Sequence, residues 1–142
     1  MINLKVGQDP KFVQQHLKHL LELTETHIKI VYFIFDGAFG NNDAVQMVRQ
    51  IGLYLISKLR HDSALCFPYN GPYTGRGPRK KYGDKLNYQD ISETYLKTSS
   101  TDKDIETKIY QIKMSHKKFA DLLHVVVMVK TNLKTNKVAH VV

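Results

Sequence analysis

The chain has 142 residues, which is room for one domain of ordinary size. Its hydrophobic share of 42% and its charged share of 24% exclude a disordered, fibrous or low-complexity protein. With 21 basic and 13 acidic residues, the net charge is +8, a balance typical of nucleic-acid-binding proteins and shared by some ribosomal and membrane-surface proteins.

The length of the apolar runs and the number of cysteines indicate where the protein is expected to be located. No apolar run approaches the roughly 18 residues that a membrane span needs, so we expect no membrane partner. The single cysteine, Cys66, excludes an internal disulfide framework, and a reducing, cytoplasmic location is expected. Cys66 itself is interpreted as a small core residue.

The first predicted element is a helix that begins at Pro10, with Asp9 as its cap, and extends to about Thr24. Its apolar stripe comprises Phe12, Val13, Leu17, Leu20 and Leu21. Residues 28–35 follow as an almost continuous apolar run, rich in β-branched and aromatic side chains. Such a run predicts a strand buried on both faces, as in the centre of a parallel or mixed sheet.

A turn, a second helix and a second strand complete the N-terminal pattern. Glycines and asparagines predict a turn over residues 36–42, with Asn42 as the cap of the following helix. That helix is predicted over residues 43–51, and Gly52 is the left-handed residue that ends it. A strand over residues 53–59 follows, so a right-handed parallel crossover between the two strands is expected.

The second half of the chain has a different character. Residues 66–90 contain three of the four prolines and predict a long irregular or short-stranded segment. Residues 91–106 are interpreted as a polar linker. The later predicted elements are strands over residues 107–114 and 124–130, a short helix over residues 115–123, and a last strand over residues 138–142, antiparallel to the one before it.

Asp36 is the first candidate site residue. It stands at the C-terminal end of the most apolar predicted strand, where open α/β sheets place their ligands. A carboxylate held there is suited to Mg²⁺, because hard cations prefer oxygen ligands. The alternative is that Asp36 only opens the turn before Gly37, a common use of an Asp-Gly pair.

A segment rich in glycine and basic residues is the second candidate. We call residues 71–85 the basic segment; it carries five cations against Asp84, a balance of +4, and these cations are Arg76, Arg79, Lys80, Lys81 and Lys85. Guanidinium and ammonium groups neutralise phosphates, and the tyrosines Tyr73, Tyr82 and Tyr88 are of the type that stacks on unpaired bases. The alternative is a solvated, flexible loop. A lysine group within residues 111–137, which includes Lys117 and Lys118, is either a second phosphate-contacting surface or an ordinary solvated face.

The N-terminal pattern and the basic segment together resemble a known family. The residues that carry the likeness are Tyr32-Phe33-Ile34-Phe35-Asp36-Gly37-Ala38-Phe39-Gly40-Asn41 and, after a helix, Leu53-Tyr54-Leu55-Ile56-Ser57-Lys58-Leu59-Arg60. Residues 75–83 and 129–135 add to it. This arrangement resembles the middle of an insertion-sequence DDE transposase, and the likeness covers most of the chain.

The resemblance implies an α/β fold with a partial ribonuclease H-like core, helix-strand-helix-strand, over residues 1–60, and a basic, β-rich insertion region over residues 61–142. In such enzymes three carboxylates hold two Mg²⁺ ions, and Asp36 stands where the second acid is expected. The implied chemistry is hydrolysis at the ends of the element, followed by attack of the freed 3′-hydroxyl on target DNA. The expected partners are therefore DNA, as element ends and target, and the intact transposase in an oligomer.

The resemblance locates the other two acids outside this sequence. The first catalytic strand is expected before residue 1 and the glutamate helix after Val142, while Glu93 and Glu106 lie in polar stretches without the expected context. One carboxylate cannot clamp two metal ions roughly 4 Å apart. The chain, which stops inside an apolar β pattern, is therefore expected to be a transposase fragment that is inactive alone.

Two other interpretations stay open at this point. One is a small basic nucleic-acid-binding module that uses the basic segment and has no catalytic activity. The other is a complete small nuclease in which Asp36 is one of the metal ligands.

Overall fold

The chain, described here by a computed structural model, divides between Lys58 and Leu59 into two compact units. The structure describes residues 10–24, 28–37, 40–73 and 75–142, so Asp9, the predicted helix cap, lies outside the described residues. We call the two parts the N-terminal unit and the β-rich unit, and each has a hydrophobic core of its own. Neither described helix combines the length and apolarity that crossing a membrane requires.

The N-terminal unit has the element order that the sequence predicts. Its elements are α1 (Pro10–Thr24), β1 (Tyr32–Phe35), α2 (Asn42–Gln50) and β2 (Tyr54–Ser57). The two strands pair in parallel, with Tyr32 opposite Tyr54 and Phe35 opposite Ser57. The predicted parallel pairing is therefore confirmed, although β2 is shorter than the predicted strand over residues 53–59.

The core of the N-terminal unit lies between the two helices and one face of the strand pair. Its buried residues are Val13, Met47, Val48 and Leu53, and Leu17, Leu21, Phe33, Ile51 and Leu55 pack against them. Phe12 and Leu20, predicted to share the buried stripe of α1, are 42% and 39% exposed. The buried stripe is therefore narrower than predicted. The polar residue Gln14 also faces α2, where its amide donates to the side-chain oxygen of Gln50 at 3.0 Å.

The prediction of a strand buried on both faces over residues 28–35 is wrong. β1 has four residues and alternates, with Phe33 half-buried while Tyr32 and Ile34 are 60% and 72% exposed. The cause is that, among the described residues, the helices cover only one face of the pair, and successive strand residues point to opposite faces. The opposite face remains an exposed apolar surface.

The start of α2 differs by one residue from the prediction. Asn41, rather than Asn42, is the cap, because its backbone is extended and its side-chain oxygen accepts from the backbone N–H of Ala44 at 2.9 Å. The predicted end is confirmed: Gly52 adopts a left-handed conformation with φ of +79°.

The β-rich unit consists of two antiparallel sheets. β3 (Cys66–Pro68) pairs with β4 (Tyr82–Lys85), and a larger sheet has the order β5 (Leu96–Asp102), β6 (Ile105–Met114), β7 (Leu123–Asn132), β8 (Val138–Val141). A short 3₁₀ helix, Glu93–Tyr95, precedes β5. Cys66 is buried, as predicted, and its backbone exchanges hydrogen bonds with Ser115 at 2.8 and 2.7 Å.

Two predictions for this unit are wrong. The polar linker over residues 91–106 contains β5, an edge strand that pairs only with β6 in its sheet and exposes six of its seven residues, so its sequence is polar. The short helix over residues 115–123 is a turn instead, because the backbone of Ser115 pairs with Cys66 and Phe119 is buried as an anchor. The strands β6, β7 and β8 are confirmed, and the first two are longer than predicted.

The capping geometry at Asn41 predicts a difference between two neighbouring variants. Asn41→Ala removes the acceptor for the Ala44 N–H and is expected to lower the free energy of unfolding of the N-terminal unit by about 1 kcal/mol. Asn42→Ala, one residue further on, is expected to cost less because Asn42 is already helical. Urea denaturation followed by helical circular dichroism measures both, and a larger loss for Asn42→Ala would contradict the assignment.

Alternation along β7 predicts a second pair of unequal variants. Val127 is completely buried in the core of the β-rich unit, whereas the neighbouring Val126 is 53% exposed. Val127→Ala leaves a cavity and is expected to lower the free energy of unfolding by about 2 kcal/mol. Val126→Ala is the matched control and is expected to change it by less than about 0.5 kcal/mol in urea denaturation. Equal losses for the two variants would show that the sheet faces are assigned wrongly.

Candidate functional site

The carboxyl edge of the β1–β2 pair is the first part of the candidate site. Asp36 follows β1 directly and Ser57 is the last residue of β2, and parallel pairing places both chain ends at the same edge. The hydroxyl of Ser57 donates to the backbone carbonyl of Asp36 at 3.3 Å. A Cβ on Gly37 would stand 3.4 Å from the carbonyl oxygen of Lys58, so the two departing chains are in van der Waals contact. The edge is thus held together across both strands.

The side chain of Asp36 is exposed at this edge. Its Oδ1 accepts from the backbone N–H of Gly37 at 2.6 Å, which fixes the orientation of the carboxylate. This hydrogen bond is the one expected if Asp36 only opens the turn before Gly37. It is also compatible with a role as a metal ligand, because a carboxylate oxygen has two lone pairs. Ser57 was not among the sequence candidates, and its position at the end of the second strand is the signal that was available.

The donors around Asp36 do not by themselves complete a metal site. Within residues 10–24, 28–37, 40–73 and 75–142, no three His, Cys, Asp or Glu side chains come together closely enough to hold a cation. Glu93 opens the 3₁₀ helix, and the carboxylate of Glu106, in β6, lies 3.8 Å from the ammonium of Lys108. Asp36 is therefore the one candidate carboxylate that the described residues bring to this edge, and two ions roughly 4 Å apart need more than one.

The basic segment covers most of the connection between β3 and β4 in the β-rich unit and also includes β4. Gly75 and Gly77 have φ of +78° and +72°, conformations that a side chain would strain. The hydroxyl of Tyr73 donates to the carbonyl of Gly77 at 2.8 Å and so closes a short loop around Arg76. Arg76 and Arg79 are both exposed. The loop therefore presents its two guanidinium groups to solvent.

The lysines of the basic segment have different surroundings. The ammonium of Lys80 lies 4.8 Å from the ring centroid of Tyr69, a cation–π distance. Lys81 lies 5.8 Å from the ring of Tyr82 and donates to the carbonyl of Ala120 at 3.2 Å, whereas Lys85 is an exposed residue of β4. All five predicted phosphate-contacting cations are exposed, and Lys81 also donates a hydrogen bond to a turn that is distant in sequence.

Tyr88 is not placed for base stacking. Its ring already stacks on His140 at 4.6 Å, with an angle of 13° between the planes, and its hydroxyl donates to the carbonyl of Ser63 at 2.8 Å. Burial, and to a lesser extent the charge of Asp62, raises the pKa of the Tyr88 hydroxyl. Tyr73 remains 52% exposed, so it is the more accessible of these two tyrosines.

The turn that follows Ser115 is organised by His116. Its Nδ1 accepts from the backbone N–H of Lys118 at 3.1 Å, and its ring meets the ring of Phe119 edge-on at 5.4 Å. Partial burial and, secondarily, the charge of Lys118 lower the pKa of His116. The neutral ring is the form that this turn requires, because a protonated Nδ1 cannot accept a hydrogen bond.

The surroundings of His116 predict a pH dependence. Its pKa in the folded chain is expected below 6.5, so the unfolded chain binds the proton more readily. The contribution of His116 to stability is therefore complete above pH 6.5 and is lost as the pH falls below that value. Proton NMR titration of the ring measures the folded pKa, and His116→Gln provides the assignment. A midpoint above 6.5 would contradict this account.

Comparison with known proteins places these two units in a family. A protein-family profile described as DDE superfamily endonuclease matches residues 7–118, which include the strand end at Asp36, the basic segment and the first residues of the turn that follows Ser115. Neither a curated protein nor a solved structure matches the chain. Endonucleases of this superfamily are typically dependent on divalent metal ions, and the match indicates a transposase-type nuclease domain. Because the matched region spans well over half of the 142 residues, the chain belongs to the DDE superfamily endonucleases.

Proposed function

We propose that this chain is part of an insertion-sequence DDE transposase and that Asp36 is the second acid of its Mg²⁺ site. The position of Asp36 carries the proposal: in a chain of this superfamily, an exposed carboxylate oriented by the Gly37 N–H stands at the carboxyl edge of a parallel strand pair. Open α/β sheets bind their ligands at this edge. The chemistry of the intact enzyme is metal-dependent cleavage and transfer of DNA strands.

The incomplete carboxylate set supports the view that this chain works with further protein. The described residues bring one predicted ligand to the edge, so the remaining acids of a two-ion site have to come from elsewhere. The exposed apolar face formed by Tyr32, Ile34, Tyr54 and Ile56 agrees with this, because parallel sheets are normally covered on both faces. We infer that the chain alone does not cleave DNA and that association with an intact transposase supplies the missing parts.

The basic segment gives the proposal its DNA partner. The basic segment carries five exposed cations: Arg76, Arg79, Lys80, Lys81 and Lys85. Cations of this kind bind phosphates and release condensed counterions. We assign these five residues to contacts with the phosphates of element ends and target DNA. The same exposed arginines favour the second candidate function, a nucleic-acid-binding module without catalytic activity.

The metal site separates the two candidate functions. In the transposase proposal, millimolar Mn²⁺ binds weakly at Asp36 and broadens the amide signal of Gly37 in NMR spectra of the chain. Asp36→Asn keeps a side-chain oxygen for the Gly37 N–H, so it is expected to fold normally and to lose at least about nine-tenths of this broadening. Asp43→Asn, an exposed acid in the first turn of α2, is the matched control and is expected to keep it.

Two results would contradict the transposase proposal. If Mn²⁺ does not broaden the Gly37 amide signal, or if it broadens this signal equally in Asp36→Asn and in the unmodified chain, Asp36 is not a metal ligand. The nucleic-acid-binding module without catalytic activity is then favoured. If the purified chain cleaves DNA with robust turnover in Mg²⁺ or Mn²⁺, it is a complete nuclease and the assignment to part of a larger catalytic site is wrong.

A further inference from the structure

Seven of the 15 lysine and arginine residues of the β-rich unit lie in two segments that are far apart in sequence. The basic segment has a balance of +4, and residues 115–122, which we call the His116 turn, add Lys117 and Lys118 against Asp121, a balance of +1. These 23 residues therefore carry +5 of the net charge of +8, and the other 119 residues share +3. The two segments thus account for more than half of the net positive charge.

One hydrogen bond brings the two segments together. The ammonium of Lys81 donates to the backbone carbonyl of Ala120 at 3.2 Å, across 39 positions of sequence. Ala120 is two residues from Lys118 and three from Lys117, so both ammonium groups lie within reach of the surface that carries the basic segment.

The His116 turn is held in one conformation rather than left loose. Its start is paired through Ser115 with Cys66, at backbone distances of 2.8 and 2.7 Å, and Phe119 is 7% exposed. The N–H of Lys118 is bound by the His116 ring at 3.1 Å. Lys117 and Lys118 are exposed on this ordered turn, so their charges are presented without the entropic cost of ordering a loop.

We propose that the His116 turn and the basic segment form one continuous phosphate-binding surface for duplex DNA, with Lys117 and Lys118 as additional contacts and Lys81 as the residue that positions the turn. This inference rests on the DNA partner of the proposed function and is independent of the role of Asp36. The contacts that we assign are to phosphates, because the groups that define this surface are cations, and the exposed tyrosine of the basic segment, Tyr73, has its hydroxyl bound to the carbonyl of Gly77. The surface therefore binds DNA without sequence preference.

The test measures binding of the full chain to a duplex of arbitrary sequence, without divalent metal, over a range of salt concentrations. Lys117→Gln with Lys118→Gln is expected to weaken binding about tenfold at 0.1 M salt and to reduce the slope of log affinity against log salt by about 2. Lys97→Gln with Lys103→Gln removes two exposed lysines from β5 and from the turn between β5 and β6, both outside the candidate phosphate-contacting segments, so it is the control of equal charge. It is expected to leave the slope within about 0.5 of the original.

Lys81 requires a separate readout because it acts through the turn. Lys81→Gln is combined with the Lys117/Lys118 variant in a double-mutant cycle. If Lys81 positions the turn, the two changes are coupled, and the loss caused by Lys117→Gln with Lys118→Gln becomes at least about threefold smaller once Lys81 is replaced. Strict additivity would show that Lys81 is a phosphate contact only and would overturn its additional role in positioning the turn.

Each remaining outcome also decides the inference. Equal weakening by the control variant means that only net charge matters, and unchanged binding by the Lys117/Lys118 variant confines the site to the basic segment; either result overturns the continuous surface. Absence of DNA binding by the unmodified chain, or equal competition by an acidic peptide of the same charge, overturns it as well. The Mn²⁺ experiment on Asp36 is unaffected by these results, so a failure here is distinguishable from a failure of the metal site.

Discussion

Parallel pairing of β1 and β2 is the constraint on which the candidate metal site depends. Two parallel strands can be joined only by a crossover, and α2 provides it within the short connection between Phe35 and Tyr54. The pairing aligns Phe35 with Ser57, so Asp36 leaves the sheet beside the end of β2. An antiparallel pair would send the two chain ends to opposite edges, and the hydroxyl of Ser57 would not reach the carbonyl of Asp36. The location of the carboxylate is thus a property of topology.

The two units use their sequence differences for different purposes. In the N-terminal unit, apolar residues of the helices and strands form a small core, and one acid, Asp36, lies at the sheet edge. The β-rich unit builds a larger core around residues such as Leu65, Met114 and Val127, and it carries most of the excess positive charge on its connections. In this DDE superfamily endonuclease, the candidate metal ligand and the candidate phosphate-contacting cations therefore lie in different units of the chain.

Sequence patterns predicted the elements in which the spacing of apolar residues or a special residue such as glycine reflects the local structure. The bounds of α1, the left-handed Gly52 and the strands around Val127 followed from propensity and alternation. β5 was missed because an edge strand is stabilised by backbone pairing, which a polar sequence does not reveal. The cap at Asn41 was displaced by one residue because two adjacent asparagines have the same propensity and only the backbone conformation distinguishes them. Burial of β1 was overestimated because an apolar run shows that a strand could be buried on both faces. It does not show whether other elements pack against one face or both.

The same distinction applies to the site. Asp36 was identifiable from its place after an apolar run. The hydrogen bond from Ser57 to Asp36 depends on strand register, and the hydrogen bond from Lys81 to Ala120 depends on a contact across 39 positions, so neither could be predicted from the sequence.

The polar edge at β5 has one more consequence. Its exposed residues include Lys97 and a run of hydroxyl side chains, and such an edge is a poor template for a strand from another molecule. We therefore expect the edge at β5 to disfavour strand-to-strand association between molecules on that side of the large sheet.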